Sequence, residues 1–173
     1  RILFILAYYS FMKFLEVNST SLSIIRDLAY EIWPVTYQPI LQKAQIDFML
    51  AEIYSLSSLE KQQEEGQHFE LVLDENDQIL GFLAYSFVNE THCKLNKLYL
   101  REVARGKGAG KEMIDRVSHI ALQAGNRVLT LNVHRENKAV EFYQKMEFEI
   151  KEIVDIPFGE YVLTDYIMEK KLA

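Results

Sequence analysis

The run Arg105-Gly106-Lys107-Gly108-Ala109-Gly110 places three glycines in six residues. A strand-like stretch, about Cys93 to Leu100, precedes it, and a helical stripe of Met113, Ile114, Val117, Ile120, Ala121 and Ala124 follows, ended by Gly125. Strand, glycine loop and helix in this order make an anion site: glycines let backbone N–H groups converge where the first turn of the helix points its own unpaired donors. The ligand is therefore expected to carry phosphate. A Walker A loop read back from Gly110-Lys111 needs Gly and Ser/Thr where Arg105 and Glu112 stand, and a G-x-G-x-x-G fingerprint from Gly106 needs Gly where Lys111 stands. What fits is R-x-x-G-x-G from Arg105.

The flanking pattern is that of an α/β domain. Phe14 to Val17 alternates weakly as a short strand, and the Ser19-Thr20-Ser21 cluster is an N-cap region for a helix carrying Leu22, Ile25, Leu28, Ala29, Ile32 and Trp33. Pro34 and Pro39 bracket an expected loop. A second amphipathic segment follows with Ile46, Met49, Leu50, Ile53 and Tyr54, and the Ser57-Ser58-Leu59-Glu60 capping box opens a short helix to Gly66. Phe69 to Leu73 and Ile79 to Val88 form a hairpin around Asp74-Glu75-Asn76-Asp77. After the glycine helix come a strand at Val128 to Val133, a helix at Asn137 to Met146, and strands near Phe148 to Val154 and Tyr161 to Met168.

At 173 residues, with 49% hydrophobic and 25% charged residues, the chain suits one globular domain. The net charge of −6 argues against a nucleic-acid partner, since phosphate backbones are bound by displacing counterions with Lys and Arg. The single cysteine, Cys93, excludes an intrachain disulfide and is read as a buried hydrophobe. The apolar run Ile2 to Tyr9 is too short to span a bilayer and lacks a small-x-small cleavage signal, so no membrane partner and a cytoplasmic location are expected. Residues 1–11 are read as an N-terminal extension of uncertain origin, either ahead of a natural start at Met12 or forming an added strand or helix. If ordered, so apolar a run needs a covered surface, which points to a homodimer.

The R-x-x-G-x-G run, the approach Lys97 to Ala104, and the downstream pair Leu131-Asn132-Val133 and Asn137 to Met146, with Asn137 and Tyr143 six positions apart, resemble the two cofactor motifs of the GNAT acetyltransferases. The resemblance extends from about Lys13 to Leu172. It implies a single domain at 12–173: a mixed, mostly antiparallel twisted sheet of six to seven strands with four to five helices. One departure stands out, because the family has Gly before the aromatic at the exit of the last helix and Glu147 stands there, which puts the geometry of that turn in question.

The resemblance also implies transfer of an acetyl group from acetyl-CoA to an amine. The backbone of Arg105, Gly106, Lys107, Gly108, Ala109 and Gly110 would cradle the pyrophosphate, helped by the charges of Arg105, Lys107 and Lys111. Leu98, Tyr99 and Leu100 would offer backbone groups to the pantetheine arm, with the Leu100 N–H as oxyanion donor. Asn132 and Asn137 join the cofactor site, Asn137 doubling as a helix cap. Tyr143, otherwise a core aromatic, would be the general acid.

The base stays open between Glu70, His134 and a water chain. Trp33, Tyr37 and Tyr161, with Tyr166, are expected around the acceptor. Glu31, Asp155, Glu160 and Asp165 favour a cationic amine such as a polyamine, a peptide amine being the other class. No metal is implied. Two readings compete: a coenzyme-binding module without catalysis, and a nucleotide-binding protein using the glycine loop.

Overall fold

The computed structural model describes residues 12–173. The extension expected at residues 1–11, and the homodimer argued from it, lie outside the described residues. The described residues form seven strands and five α-helices in the order β1 (Lys13–Glu16), α1 (Leu22–Tyr37), α2 (Lys43–Tyr54), α3 (Leu56–Glu64), β2 (His68–Leu73), β3 (Ile79–Phe87), β4 (His92–Leu100), α4 (Ala109–Gln123), β5 (Val128–His134), α5 (Ala139–Lys145), β6 (Glu149–Phe158) and β7 (Tyr161–Lys171). They form one sheet in the order β1-β2-β3-β4-β5-β7-β6. Among the described strands only β4 and β5 run parallel, because α4 carries the chain back across the sheet between them. The mixed, mostly antiparallel architecture expected from the sequence is the one observed.

Each face of the sheet has its own core. Val17, Leu22, Ile25, Ile32, Trp33, Leu50 and Tyr54 pack with Phe69 and Phe82 on the α1–α3 face. Met113, Ile114 and Val117 of α4 pack with Cys93, Leu95, Leu129 and Leu131 on the other. Those three α4 side chains are fully buried, and each contributes about 1.5–3 kcal/mol by leaving water.

Three elements depart from the sequence reading. The first helix does not stop before Pro34 but runs through it to Tyr37. Pro34 and Tyr30 are solvent-exposed, so the carbonyl that loses its partner faces water, and the i→i−4 pattern resumes with Gln38 N–H donating to Pro34 O at 3.0 Å. The cap of α3 is Ser55, whose Oγ accepts from Ser58 N–H at 3.3 Å. Because α2 ends at Tyr54, Ser55 is the first residue free to turn, and Ser57 falls inside the helix rather than capping it. Finally, β6 runs on through Pro157, which an edge strand tolerates because its outer side makes no ladder bonds.

The questioned turn after α5 forms in full, with Glu147 in the left-handed region at φ 69°. Glu147 N–H donates to Gln144 O and Phe148 N–H to Tyr143 O, both at 3.0 Å, and the Tyr143 and Phe148 rings meet edge-on at 5.7 Å. This is a Schellman termination in which a side-chain residue occupies the glycine position. Its exposed ion pair with Lys170 offsets little of the strain.

A bulge in the β3–β4 ladder decides which β4 side chains face which core. Ala84 pairs with Lys97 and Tyr85 with Leu95, leaving Asn96 as the extra residue, its Nδ2 tied to Ser86 Oγ at 2.8 Å. Cys93 and Leu95 therefore face α4, while Lys97 and Tyr99 turn to the α1–α3 side. Lys97 is 7% exposed and has no carboxylate partner among the described residues; Nζ donates to Gln62 Oε1 at 2.5 Å and Gln67 Oε1 at 2.7 Å, between the Tyr54 and Phe69 rings. Burial, and to a lesser degree the Lys94 charge, lowers this amine from 10.5 to about 7.

Two outcomes are expected. Glu147→Gly raises stability by about 1 kcal/mol in urea melts, since glycine adopts the left-handed region without strain; no gain would show that the turn is unstrained. Between about pH 7 and 10.5 the unfolded chain holds the Lys97 proton that the folded protein releases, so stability rises with pH in that window. Lys97→Met removes this slope, which approaches ~1.4 kcal/mol per pH unit; paired urea melts at neutral and alkaline pH measure the difference.

Candidate active site

The parallel pairing of β4 and β5 consists of His92–Val128, Cys93–Leu129 and Lys94–Thr130. Beyond it the strands part, and Leu95 to Leu100 and Leu131 to His134 line the two walls of a cleft of about 1120 Å³. On the β3 side, Arg101 N–H donates to Leu80 O at 2.8 Å. Bonded pairs recur at every second residue of an antiparallel ladder, so Tyr99 and Lys97 spend their backbone groups on β3, while Leu98 and Leu100 turn theirs into the gap. Tyr99 thus differs from the expectation: it presents its ring to the cleft, not its backbone.

The cleft runs into the glycine loop. Gly106 and Gly108 sit at φ 73° and 83° with open space where a Cβ would be, so backbone conformation selects glycine there, and Gly108 leads into the first turn of α4. Gly110 is glycine for another reason, since a Cβ there would stand 2.9 Å from Phe142 Cζ. That contact packs the start of α4 against α5 and joins the two motifs in space. Arg105 braces the loop: Nη2 donates to Thr36 Oγ1 at 2.8 Å and Nε to Leu100 O at 3.3 Å. Arg105, Gly106, Gly108, Gly110 and Lys111 line the cleft, whereas Lys107 and Ala109 do not, and Lys111 also pairs with Asp115.

Past the gap, Asn132 and Asn137 line the cleft. Asn137 Oδ1 accepts from Ala139 N–H at 2.9 Å, the capping role, and its amide also bears on the Tyr37 hydroxyl. Tyr143 is buried and lines the same wall. Burial, with the nearby Tyr37, pushes its phenol well above the usual range, so it stays protonated at neutral pH.

At the other end, Trp33 stacks among Tyr37, Tyr54 and Tyr99 with centroids 4.5, 5.5 and 5.7 Å away, and the Tyr37 and Tyr99 hydroxyls share a hydrogen bond at 3.0 Å. Trp33 Nε1 has no hydrogen-bond partner among the described residues. Trp33 and Tyr37 line the cleft; Tyr161 and Tyr166 do not. Tyr161 instead packs on Phe48 at 5.4 Å, where the β6–β7 hairpin meets α2. Tyr54, Tyr99 and Thr36 are not singled out by the sequence as lining this end of the cleft, because a helical or alternating aromatic looks like any core residue and Thr36 lies beyond an expected helix stop.

Neither proposed base is free to act in the cleft. Glu70 lies on the α4 side of the sheet, 4% exposed, in a two-pronged ion pair with Arg116 at 2.9 and 3.2 Å, and does not line the cleft. Strand alternation sends Phe69 to one core and Glu70 to the other. His134 does line it, but Glu136 N–H donates to Nδ1 at 3.1 Å and Nε2 lies 3.1 Å from Thr164 Oγ1, so both ring nitrogens are engaged.

Of the four carboxylates expected to favour a cation, Glu31 pairs with Arg101, Asp155 with Arg135, and Glu160 lies outside the cleft. Asp165 alone of them lines it. Cys93 is fully buried, and burial pushes its thiol up to about 11, as suits a core residue.

Residues 23–148 match the Acetyltransferase (GNAT) family. Sixty-two residues are 36% identical to an uncharacterized N-acetyltransferase of Methanocaldococcus jannaschii; the match covers 35% of this chain and 27% of that protein, so the chain spans about a quarter of this relative's length. The fold is similar to that of PaiA N-acetyltransferase from Thermoplasma acidophilum in complex with coenzyme A, with 25% identity, 92% of this chain and 98% of that one covered, and a TM-score of 0.77. It is also similar to a GCN5-related N-acetyltransferase from Rhodopseudomonas palustris (16% identity, 94% and 97% covered, TM-score 0.79). A third likeness is to a spermidine N-acetyltransferase chimera from Vibrio cholerae and the human enzyme (17% identity, 94% and 96% covered, TM-score 0.70). A split parallel strand pair opening onto a glycine loop, and a family match over most of its length, show that this chain belongs to the GNAT acetyltransferase family, whose cofactor is acetyl-CoA.

Proposed function

We propose that this protein transfers the acetyl group of acetyl-CoA to a primary amine, by direct attack while both substrates occupy the cleft. The observation that carries this reading is the lapse of β4–β5 pairing after Lys94 and Thr130, in line with the open first turn of α4. An extended amide-bearing arm satisfies the gap-facing backbone groups of Leu98 and the Leu100 N–H, and a pyrophosphate satisfies the donors of Gly106 to Gly110. Acetyl-CoA, when bound, supplies a thioester carbonyl to be attacked and a thiolate that leaves.

The protein's own residues do the rest. The Leu100 N–H, fixed by the ladder, polarises the carbonyl oxygen. Tyr143 hydrogen-bonds the departing sulfur and gives it a proton, which only a strong base such as a thiolate in a dry site can take from so buried a phenol. Trp33, Tyr37 and Tyr99 shape the acceptor end, where Asp165 supplies negative charge. These features, with the net charge of −6, favour a cationic acceptor, a polyamine first and a peptide amine second.

A thiol-release assay over polyamines, aminoglycosides, amino acids and peptide N-termini tests the activity directly. Turnover with at least one class is expected, and coenzyme binding without turnover on any would leave a coenzyme-binding module instead. Coenzyme A at 100 times its Kd is expected to stabilise the protein by about 2.7 kcal/mol, a melting shift of roughly 5–10 °C, with no shift from ATP; the reverse pattern would identify a nucleotide-binding protein. Tyr143→Phe is expected to lower kcat by about 100-fold or more with little change in coenzyme affinity, and unchanged turnover would remove Tyr143 from the mechanism.

A further inference from the structure

We infer that Asp165 is the group that takes the proton from the acceptor ammonium. The inference rests on the acetyltransfer reading above and names the base that reading lacks. An amine in its ammonium form has no lone pair, so some cleft-facing group must accept a proton before the C–N bond forms. The two side chains offered by the sequence are engaged elsewhere: Glu70 on Arg116 across the sheet, and His134 on Glu136 N–H and Thr164.

Asp165 is different in kind. It stands on β7 opposite His134, lines the cleft, and takes part in no ion pair among the described residues. The groups that bear on its carboxylate are the Asn132 amide and His134 from β5, Arg135 just beyond, and Lys94 from β4. From α1, Tyr37 feels its charge. Tyr143 also feels Tyr37, so the carboxylate and the proposed acid converge on one tyrosine at the acceptor end. Burial raises the Asp165 carboxyl from its ordinary value, against the opposing pull of Asn132, His134, Lys94 and Arg135, and a more basic carboxylate is a better proton acceptor.

The protons balance. One N–H proton of the ammonium passes to an Asp165 oxygen and on to solvent. The freed lone pair forms the C–N bond as the C–S bond breaks, Tyr143 protonates the thiolate, and the second proton lost by nitrogen restores Tyr143. Asp165 must be ionised to act, so kcat/KM falls as pH drops through its raised pKa.

The test is Asp165→Asn, which keeps the shape and removes the basicity, assayed with the best acceptor from the amine panel. The expected result is a fall in kcat of about 100-fold at pH 7, recovered as pH approaches the acceptor amine's own pKa, with the coenzyme A thermal shift unchanged. Should that substitution disturb folding, Asp165→Ala with added formate gives the second reading, and formate is expected to restore part of the rate. A kcat within threefold of wild type, a loss confined to KM, or a loss that persists unchanged at alkaline pH would each overturn the proposal. Wild-type protein silent on every amine would overturn the acetyltransfer reading and this proposal with it.

Discussion

The parallel ladder between β4 and β5 ends after three residue pairs, and the backbone donors and acceptors left free beyond it govern the rest of the molecule. Buried peptide groups without partners are costly, so a gap of this kind persists only where something else meets them. Here the sheet supplies the frame: β3 holds one edge of β4 through Arg101 and Tyr99, and β7 holds the far edge of β5 along its whole length. With both strands anchored on their outer sides, the cleft between them is a rigid slot. The glycine loop and α4 begin where that slot opens, which places chemistry for phosphate and for an extended arm end to end.

A second constraint is the bulge at Asn96. Without it, strict alternation would set Lys97 and Tyr99 beside Cys93 and Leu95 against α4. The extra residue turns Tyr99 toward Trp33, Tyr37 and Tyr54, which builds the aromatic end of the cleft, and it drives the Lys97 amine into a buried seat between two rings, where it donates to two glutamines. The fold thus accepts a buried amine, with no counter-charge among the described residues, on the same strand that presents Leu98 and Leu100 to the gap. The strained left-handed Glu147 is comparable, since it ends α5 where Tyr143 must sit and is held there by the bonds of the turn.

Much of this was legible in the chain. The R-x-x-G-x-G run and the Asn137–Tyr143 spacing are local patterns, and local patterns survive in sequence because each depends on neighbours a few residues away. Hydrophobic periodicity located α1, α2 and α4 for the same reason. The errors were of two kinds. Pro34 and the Ser57 box were misread because a cap or a break depends on which side faces water and on where the previous helix ended. Glu70 was misread because a carboxylate on a strand gives no sign of which face it will occupy until its neighbours pair. Asp165, named only as one of four acidic residues, is separated from the others by the tertiary structure, since Glu31 and Asp155 pair with arginines, Glu160 lies outside the cleft, and Asp165 lines it.

By itself the sequence determined that the chain is an α/β domain with a glycine-rich loop at the start of its fourth helix, because glycine spacing and apolar periodicity are properties of consecutive residues. The tertiary structure alone decided that β4 and β5 part after Lys94, that Asn96 re-aims the strand, that Glu70 and His134 are engaged elsewhere, and that Asp165 lines the cleft. Those facts depend on which distant segments pair with which, and pairing across the sheet is set by the whole core rather than by any one stretch of chain.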